Sequence, residues 1–190
     1  PSTPGPGTTT TPPATPPTDT ARTVTAATLT WHVRDSFVDY LASGQGTSAL
    51  DGAVAQPPSG SPALVREYLL PLRDGWYDPA TGKAAVRFSG GVRFAYAAHG
   101  LEIEARDLEI EMAPGASRVF AQFSGAAVQN PGRGPLVNLT WTAPDTGDAT
   151  ANWTKLPGTI PAGADTSVFA GFYFPGDDFG WFALTLRYAP

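Results

Sequence analysis

Three side chains near the start of the chain could do chemistry together: His32, Ser36 and Tyr40. They follow one another at intervals of four residues, and an α-helix turns once in about 3.6 residues, so a helix would place them along one face. The run LTWHVRDSFVDYLAS, Leu29 to Ser43, predicts such a helix. Its buried side is expected to consist of Trp31, Phe37, Val38 and Leu41. The other side would then carry a polar stripe.

Tyr40 has the most specific chemistry of the three. A deprotonated phenol is a hard anionic ligand that suits ferric iron. Phenols ordinarily have a pKa of about 10, so ligation near neutral pH needs the metal charge and usually a hydrogen-bond partner. A histidine could be that partner, and the sequence contains only His32 and His99. The alternative is a tyrosine that packs at a helix end with its hydroxyl group in water.

Several other kinds of site are excluded or disfavoured by composition. The chain has no cysteine, which rules out zinc thiolates, iron–sulfur clusters and thiol nucleophiles. Its two histidines lack the spacing of a catalytic zinc site, and no G-x-S-x-G elbow is present, so we expect no enzyme. The net charge of −5, with no basic run, disfavours nucleic acid.

The domain organisation follows from a change of composition early in the chain. Residues 1–22 are rich in proline and threonine and predict a disordered linker or stalk. Residues 23–190 are long enough to form a single domain with its own core. A stalk of this composition is typical of the cell exterior, so we expect an extracellular or cell-surface location, with no anchor visible.

Short β-rich runs separated by turn residues continue from Leu64 onward. Tyr77–Lys83 predicts a hairpin connection, and Ala84–Gly100 predicts two strands around a Gly-Gly pair. Leu101–Met112 alternates apolar and acidic residues, which predicts a half-buried antiparallel edge strand. Residues 44–62 predict a long loop that covers a site. Without crossover helices, the expected fold is mainly β, an antiparallel β-sandwich with one N-terminal α-helix.

Three motifs follow one another in order along the chain. They are L-T-W-x-V-x-x-S-F-x-x-Y, then Y-D-x-x-T-G with V-x-F-x-G-x-V-x-F, and then H-G-L. Together they resemble the HtaA-domain family of bacterial surface haem-uptake proteins, over Leu29 to about Tyr188. No single motif would suffice, but their order makes the resemblance specific. It implies a single haem-binding domain, residues 23–190, whose N-terminal helix packs at the haem site.

The resemblance also implies roles for individual residues. Tyr40 would be the axial ligand of ferric haem b, His99 would form a hydrogen bond with it, and Ser36 would border the haem. Phe172 follows a glycine that would admit a flat ligand and could pack on the porphyrin, although strand aromatics more often belong to the core. His32 departs from the family pattern, which leaves open an altered or second ligand; a solvent-facing helix residue is the simpler interpretation.

The function implied by the resemblance is capture of haem without chemical turnover. The domain would take ferric haem from host haemoproteins through a tyrosinate ligand and pass it to other haem-uptake proteins. A second haem stacked between two open pockets would offer a route to a dimer. The rival hypothesis is a β-sandwich adhesion or carbohydrate-binding module on a stalk, with four tryptophans as stacking platforms: Trp76, Trp141, Trp153 and Trp181.

Overall fold

The computed structural model describes residues 18–56, 64–164, 169 and 172–190, so most of the predicted stalk lies outside the described residues. The strands are β1 (Arg22–Val33), β2 (Gly46–Leu50), β3 (Val54–Gln56), β4 (Glu67–Asp78), β5 (Lys83–Phe88), β6 (Gly91–Tyr96), β7 (Leu101–Met112), β8 (Ser117–Ser124), β9 (Gly132–Leu139), β10 (Asp145–Gly147), β11 (Thr150–Thr159) and β12 (Asp178–Tyr188). Helix α1 (Asp35–Leu41) follows β1, and a 3₁₀ turn (Ala97–His99) joins β6 to β7. Within these residues, no helix combines the length and apolar character needed to cross a membrane.

Eight strands form a closed ring. Their order is β7–β5–β4–β1–β12–β11–β9–β8, and β8 pairs back with β7. Every pairing in the ring is antiparallel. The antiparallel, mainly β expectation is therefore confirmed, but the sandwich is wrong because the sheet closes into a barrel. Alternating burial along a strand looks the same in both architectures, and only the pairing of distant strands distinguishes them.

The remaining strands branch from the ring. β6 pairs with the first half of β7 and β5 with the second half, on the same edge, and β2 pairs with the outer side of β6. At the junction Gly90 adopts φ +82°, and a Cβ there would lie 2.7 Å from the backbone nitrogen of Ala53. The strands β5 and β6 confirm the prediction of two strands around the Gly-Gly pair. Strand β3 pairs with β4, and β10 pairs with β11.

β7 shows the predicted alternation but not the predicted position. Its buried side consists of Leu101, Ile103, Ala105, Leu108, Ile110 and Met112. The strand has partners on both edges, β8 on one and β6 with β5 on the other, so the expectation of an edge strand is wrong. Three glutamates of its outer face instead form ion pairs with arginines: Glu102 with Arg93, Glu104 with Arg106, and Glu109 with Arg133.

The helix is shorter than predicted, since α1 begins only at Asp35. The first residues of the predicted helix, including His32, belong to β1, where Leu29, Trp31 and Val33 alternate as buried residues. A β-branched and aromatic run favours a strand, and pairing with β4 and β12 decides in its favour. The buried side of α1 consists of the expected residues Phe37, Val38 and Leu41.

The predicted loop of residues 44–62 contains two strands where it is described. β2 pairs with β6, and β3 pairs with β4, while residues 57–63 lie outside the described residues. The glycines and serines of this segment predicted a loop because they have low intrinsic strand preference. Long-range pairing with neighbouring strands outweighs that preference.

Candidate functional site

Tyr40 and His99 lie together, although 59 positions separate them in the chain. The Tyr40 hydroxyl oxygen is 2.6 Å from Nδ1 of His99, a hydrogen bond whose direction follows the tautomer of the imidazole. Tyr40 is near the C-terminal end of α1 and is 37% exposed. Its oxygen atom is therefore held by one partner while the residue remains accessible from solvent.

The 3₁₀ turn that carries His99 is held at its start by a side chain of another segment and is closed at its end by its own backbone. The backbone N–H of Ala97 donates to Oε1 of Gln45 at 2.7 Å. At the other end Gly100 has φ +67°, a conformation that favours glycine, and its N–H donates to the carbonyl oxygen of Ala97 at 3.0 Å. Gln45 follows α1 in the chain, so the segment that presents Tyr40 also anchors the turn that presents His99.

Tyr96 is a third aromatic residue at this site. Its ring stacks on the imidazole of His99, with centroids 3.9 Å apart and planes 14° apart. The Tyr96 and Tyr40 rings are tilted, with centroids 5.3 Å apart. The sequence contained only a weak signal for this contact: Tyr96 ends an alternating strand three residues before His99.

An open, mainly apolar cleft of about 160 Å³ lies beside Tyr40. Its lining residues are Phe37, Tyr40, Leu101, Phe172 and Tyr173. The exposed fraction of Phe172 is 59%, and it does not lie on a strand, contrary to expectation. Gly171, the glycine expected to admit a flat ligand, lies outside the described residues.

The floor of the cleft is a cluster of packed aromatic rings. Phe37, on the buried side of α1, has ring contacts at centroid distances of 5.3 Å to Phe94, 5.6 Å to Phe179 and 5.8 Å to Tyr173. Aromatic pairs at these distances stabilise one another beyond the burial of their surface. The short helix is therefore held by its packing on the barrel core, which fixes the direction in which Tyr40 projects.

Arg34 and Ser36 lie at the start of α1. Nε of Arg34 donates to Oγ of Ser36 at 2.8 Å, and Nη1 donates to the carbonyl oxygen of Asp178 at 2.7 Å. The guanidinium carbon is 5.0 Å from the ring centre of Tyr173, a cation–π contact. None of the ion pairs among the described residues involves Arg34. This leaves an oriented cation beside a residue that lines the cleft.

Tyr173, which the sequence did not single out, is a second tyrosine of the cleft. Burial raises its pKa, the nearby charge of Arg34 lowers it, and Asp177 and Tyr40 raise it further. The net effect is a pKa above the ordinary value of a phenol. As a lining residue, Tyr173 contributes an aromatic wall to the cleft.

His32 does not belong to the cleft. It lies on β1, where its ring stacks on Trp181 with centroids 4.8 Å apart and planes 7° apart. Its Nδ1 is 3.1 Å from a carboxylate oxygen of Glu67, and its Nε2 is 3.1 Å from one of Asp35. The predicted stripe on one helix is therefore wrong, because only Ser36 and Tyr40 lie on α1. Across the described part of the chain, no group of three or more His, Cys, Asp or Glu side chains could hold a metal ion.

The tryptophans do not form exposed platforms. Trp153 is buried, and Trp76, Trp141 and Trp181 are half-buried. Trp181 is stacked by His32 and has the ammonium group of Lys155 5.9 Å from its ring centre. Carbohydrate-binding surfaces need exposed aromatic faces, so this arrangement gives the rival hypothesis of a carbohydrate-binding module no support.

A model of the HtaA family matches residues 26–184 of the sequence. The chain belongs to the HtaA family. This match covers most of the barrel, α1 and both residues of the Tyr40–His99 pair, and it confirms the resemblance inferred from the motifs. No curated protein matches this HtaA-family sequence.

Solved structures share the fold of this HtaA-family chain. The C-terminal domain of HtaA from Corynebacterium glutamicum has a TM-score of 0.72 and 17% identity, covering 88% of this chain and 99% of that domain. The N-terminal domain of the same protein has a TM-score of 0.63 and 19% identity, covering 89% and 100%. The heme binding protein HtaB from that organism has a TM-score of 0.61 and 16% identity, covering 89% and 95%. At these identities the likeness concerns the fold alone.

Proposed function

We propose that this HtaA-family chain binds haem in the cleft beside α1, with the oxygen atom of Tyr40 as the ligand of the iron. The observation that carries the proposal is the Tyr40 hydroxyl, which lies 2.6 Å from His99 Nδ1 at the edge of an apolar, aromatic cleft. Family membership supports it, as does the fold shared with HtaB, a protein named for binding heme.

The residues present fit this group. Ferric haem supplies a hard Lewis-acidic iron, and a phenolate oxygen is a ligand that iron of this kind prefers. Nδ1 of His99, when protonated, can donate to the phenolate oxygen and stabilise its negative charge. The cleft walls are rings and aliphatic side chains suited to a porphyrin face, notably Phe172 and Tyr173.

The open shape of the cleft favours transfer over storage. A volume of about 160 Å³ is small beside the roughly 300–1,000 Å³ of pockets that enclose a whole organic ligand. A bound porphyrin would therefore project from the cleft toward solvent. Such an edge is accessible to a donor haemoprotein, to a recipient carrier or to a second haem in a dimer. Proton transfer through His99 to the Tyr40 oxygen would release the iron.

Arg34 offers a contact for the periphery of the ligand. Haem b carries two propionate carboxylates, and an arginine held by neutral acceptors retains its charge for an anionic group. Arg34 is oriented by Ser36 and by the backbone of Asp178, and it lies against Tyr173. We assign to Arg34, with Ser36, the binding of one propionate.

Titration of the purified domain with hemin tests the proposal. Wild type is expected to develop the absorption spectrum of a ferric haem with a tyrosinate ligand, and Tyr40→Phe is expected to lose it, because the substitution removes only the oxygen atom. Tyr188→Phe, on β12 at a ring contact with Tyr77, is the matched control and should behave as wild type. An unchanged spectrum in Tyr40→Phe would remove the ligation claim, and no binding by wild type would remove the haem claim.

The expected setting is the exterior of a bacterial cell. The proline- and threonine-rich composition of residues 1–22 supports a stalk, and a haem-capture domain on a stalk would meet host haemoproteins in the surrounding medium. We propose that the domain passes ferric haem to other haem-uptake proteins and performs no chemical conversion of its own.

A further inference from the structure

We propose that Tyr96, backed by Gly44, is a positioning residue that holds the His99 imidazole with its Nδ1 toward the oxygen of Tyr40. The inference deepens the proposed function and rests on it for its relevance to haem. The placement of the imidazole, however, can be tested in the protein without haem.

The stack of Tyr96 on His99 restricts the rotation of the imidazole. Rotation of a histidine ring about its Cβ–Cγ bond is broad in energy, so the hydrogen bond to Tyr40 alone would leave the ring plane loosely defined. The Tyr96 ring lies 3.9 Å away and within 14° of parallel, which limits the ring to one plane. In that plane Nδ1 is 2.6 Å from the Tyr40 oxygen.

Gly44 lies against the ring of Tyr96. A Cβ atom at position 44 would lie 2.7 Å from Cδ2 and 2.8 Å from Cγ of the Tyr96 ring, and 3.1 Å from its Cα. Real side chains do not approach so closely, so a larger residue would displace the Tyr96 ring. Gly44 has no left-handed backbone angle, which means that space, not conformation, requires the glycine.

The segment after α1 connects these contacts to the proposed ligand. The N–H of Gly44 donates to the carbonyl oxygen of Leu41 at 2.9 Å, which ties it to the last turn of the helix that carries Tyr40. The next residue, Gln45, accepts the N–H of Ala97 in the turn that carries His99. Residues 40–45 thus connect Tyr40, the proposed iron ligand, to the turn that carries His99.

Only the aromatic plane of Tyr96 is needed for this role, and this requirement defines the variants. Tyr96→Phe keeps the plane, Tyr96→Leu removes it, and Gly44→Ala displaces it. Tyr188→Leu is the matched control, since Tyr188 has a ring contact with Tyr77 at 4.9 Å on another part of the barrel. Circular dichroism first establishes that each variant is folded; if Tyr96→Leu does not fold, Gly44→Ala serves in its place.

The first measurement uses NMR of the imidazole groups in the haem-free protein. The chain has only two histidines, so His32 serves as an internal reference. The stacked Tyr96 ring should shift the ring protons of His99 upfield. Tyr96→Phe is expected to keep that shift and Tyr96→Leu to lose it, with the His32 signals unchanged in both. An unchanged His99 signal in Tyr96→Leu would overturn the proposal.

The second measurement is the rate of haem dissociation together with the tyrosinate spectrum. Loss of groups that orient a metal ligand typically lowers affinity about 10–100-fold, so we expect about tenfold faster release from Tyr96→Leu and Gly44→Ala. Tyr96→Phe and Tyr188→Leu should stay within about twofold of wild type. Wild-type release and spectrum in Tyr96→Leu with a displaced imidazole would overturn the positioning role. Absence of haem binding by wild type would instead overturn the proposed function, and the NMR result would still show whether Tyr96 stacks on His99.

Discussion

At the scale of single residues, the oxygen atom of Tyr40 is the atom on which the proposed function depends. It combines two properties, a histidine nitrogen at 2.6 Å and a position at the edge of an aromatic cleft. The neighbouring phenol of Tyr173 has a pKa raised by burial, and its ring lines the same cleft. Both tyrosines line the cleft, and the proposed function assigns the iron to Tyr40 alone.

His99→Ala is expected to lower haem affinity about 10–100-fold, because the phenolate would lose the donor that stabilises its charge. The iron–oxygen bond should persist, so the spectrum should shift without losing its tyrosinate character. The measurement is the haem dissociation rate with the absorption spectrum, and the matched control is the other histidine. His32→Ala, on β1 between Glu67 and Asp35, should leave both unchanged; equal losses in the two variants would contradict the assignment.

Arg34→Gln should weaken binding of haem about tenfold, corresponding to one charge-assisted hydrogen bond of about 1.4 kcal/mol. The same variant should bind haem dimethyl ester about as well as wild type does, because the ester carries no negative charge. Comparing the two ligands in a binding titration separates loss of the propionate contact from loss of fold. Arg118→Gln, at an exposed position of β8, is the control. Equal weakening for both ligands would argue against a propionate at Arg34.

The site residues differ in how clearly the sequence marks them. Tyr40, Ser36 and His99 belong to motifs, so their types and order are recognisable from the amino-acid sequence alone. Tyr96 and Arg34 could not be identified in this way. Their proposed roles arise from a stacking contact and from the lack of an acidic partner among the described residues, and both depend on the folded chain. The sequence predicts His32 on the helix because its four-residue spacing from Ser36 suits a helix, whereas the structure places it on β1.

At the scale of elements, local sequence patterns predict the features that depend on neighbouring residues in the chain. The hairpin between β4 and β5 and the alternation of β7 followed from turn residues and period-two burial. The start of α1 and the strands β2 and β3 did not, because pairing with strands distant in sequence determines them. Barrel closure through β7 and β8 is the extreme case. No single run of residues predicts which strand completes the ring.

Gly180 is the most restrictive glycine of the barrel wall. It adopts φ +95° at the start of β12, and a Cβ there would lie 2.0 Å from the backbone oxygen of His32 on β1. Gly180→Ala should therefore lower the free energy of unfolding by about 2–4 kcal/mol, through backbone strain and separation of the two strands. Urea denaturation measures this loss. Gly134→Ala, where the nearest atom would be 3.8 Å away, should change stability little; similar losses in both would contradict the explanation.

At the scale of the whole molecule, the buried carboxylate of Asp78, at the end of β4, connects the residues before β1 to the turn between β4 and β5. Asp78 is 1% exposed, and its oxygen atoms accept hydrogen bonds from Thr18, the Ala80 backbone and Thr81 at 2.9–3.0 Å. Burial alone would raise its pKa. The combined hydrogen bonds from Thr81, Thr20, the Ala80 backbone and Thr18 outweigh burial and lower the pKa below the ordinary value.

Asp78→Asn is expected to lower the free energy of unfolding by about 1–3 kcal/mol at neutral pH, since the charged acceptor is lost. A depressed carboxyl pKa stabilises the fold above the unfolded pKa of about 4, and this contribution disappears as pH falls through the lower folded value. Wild type and variant should therefore converge in stability in strong acid. Denaturant unfolding across this pH range measures the difference; a gap that stays constant down to about pH 2 would contradict the role of the charge.

The sheet branches at β7, so the turn with His99 and the closed ring belong to different parts of the sheet. Tyr96 and the turn with His99 lie at the end of the branch formed by β6 and β2, whereas the eight strands of the ring close without that branch. Local opening of a peripheral segment requires less free energy than global unfolding. We therefore expect a substitution in the turn that carries His99 to leave the eight-stranded ring closed.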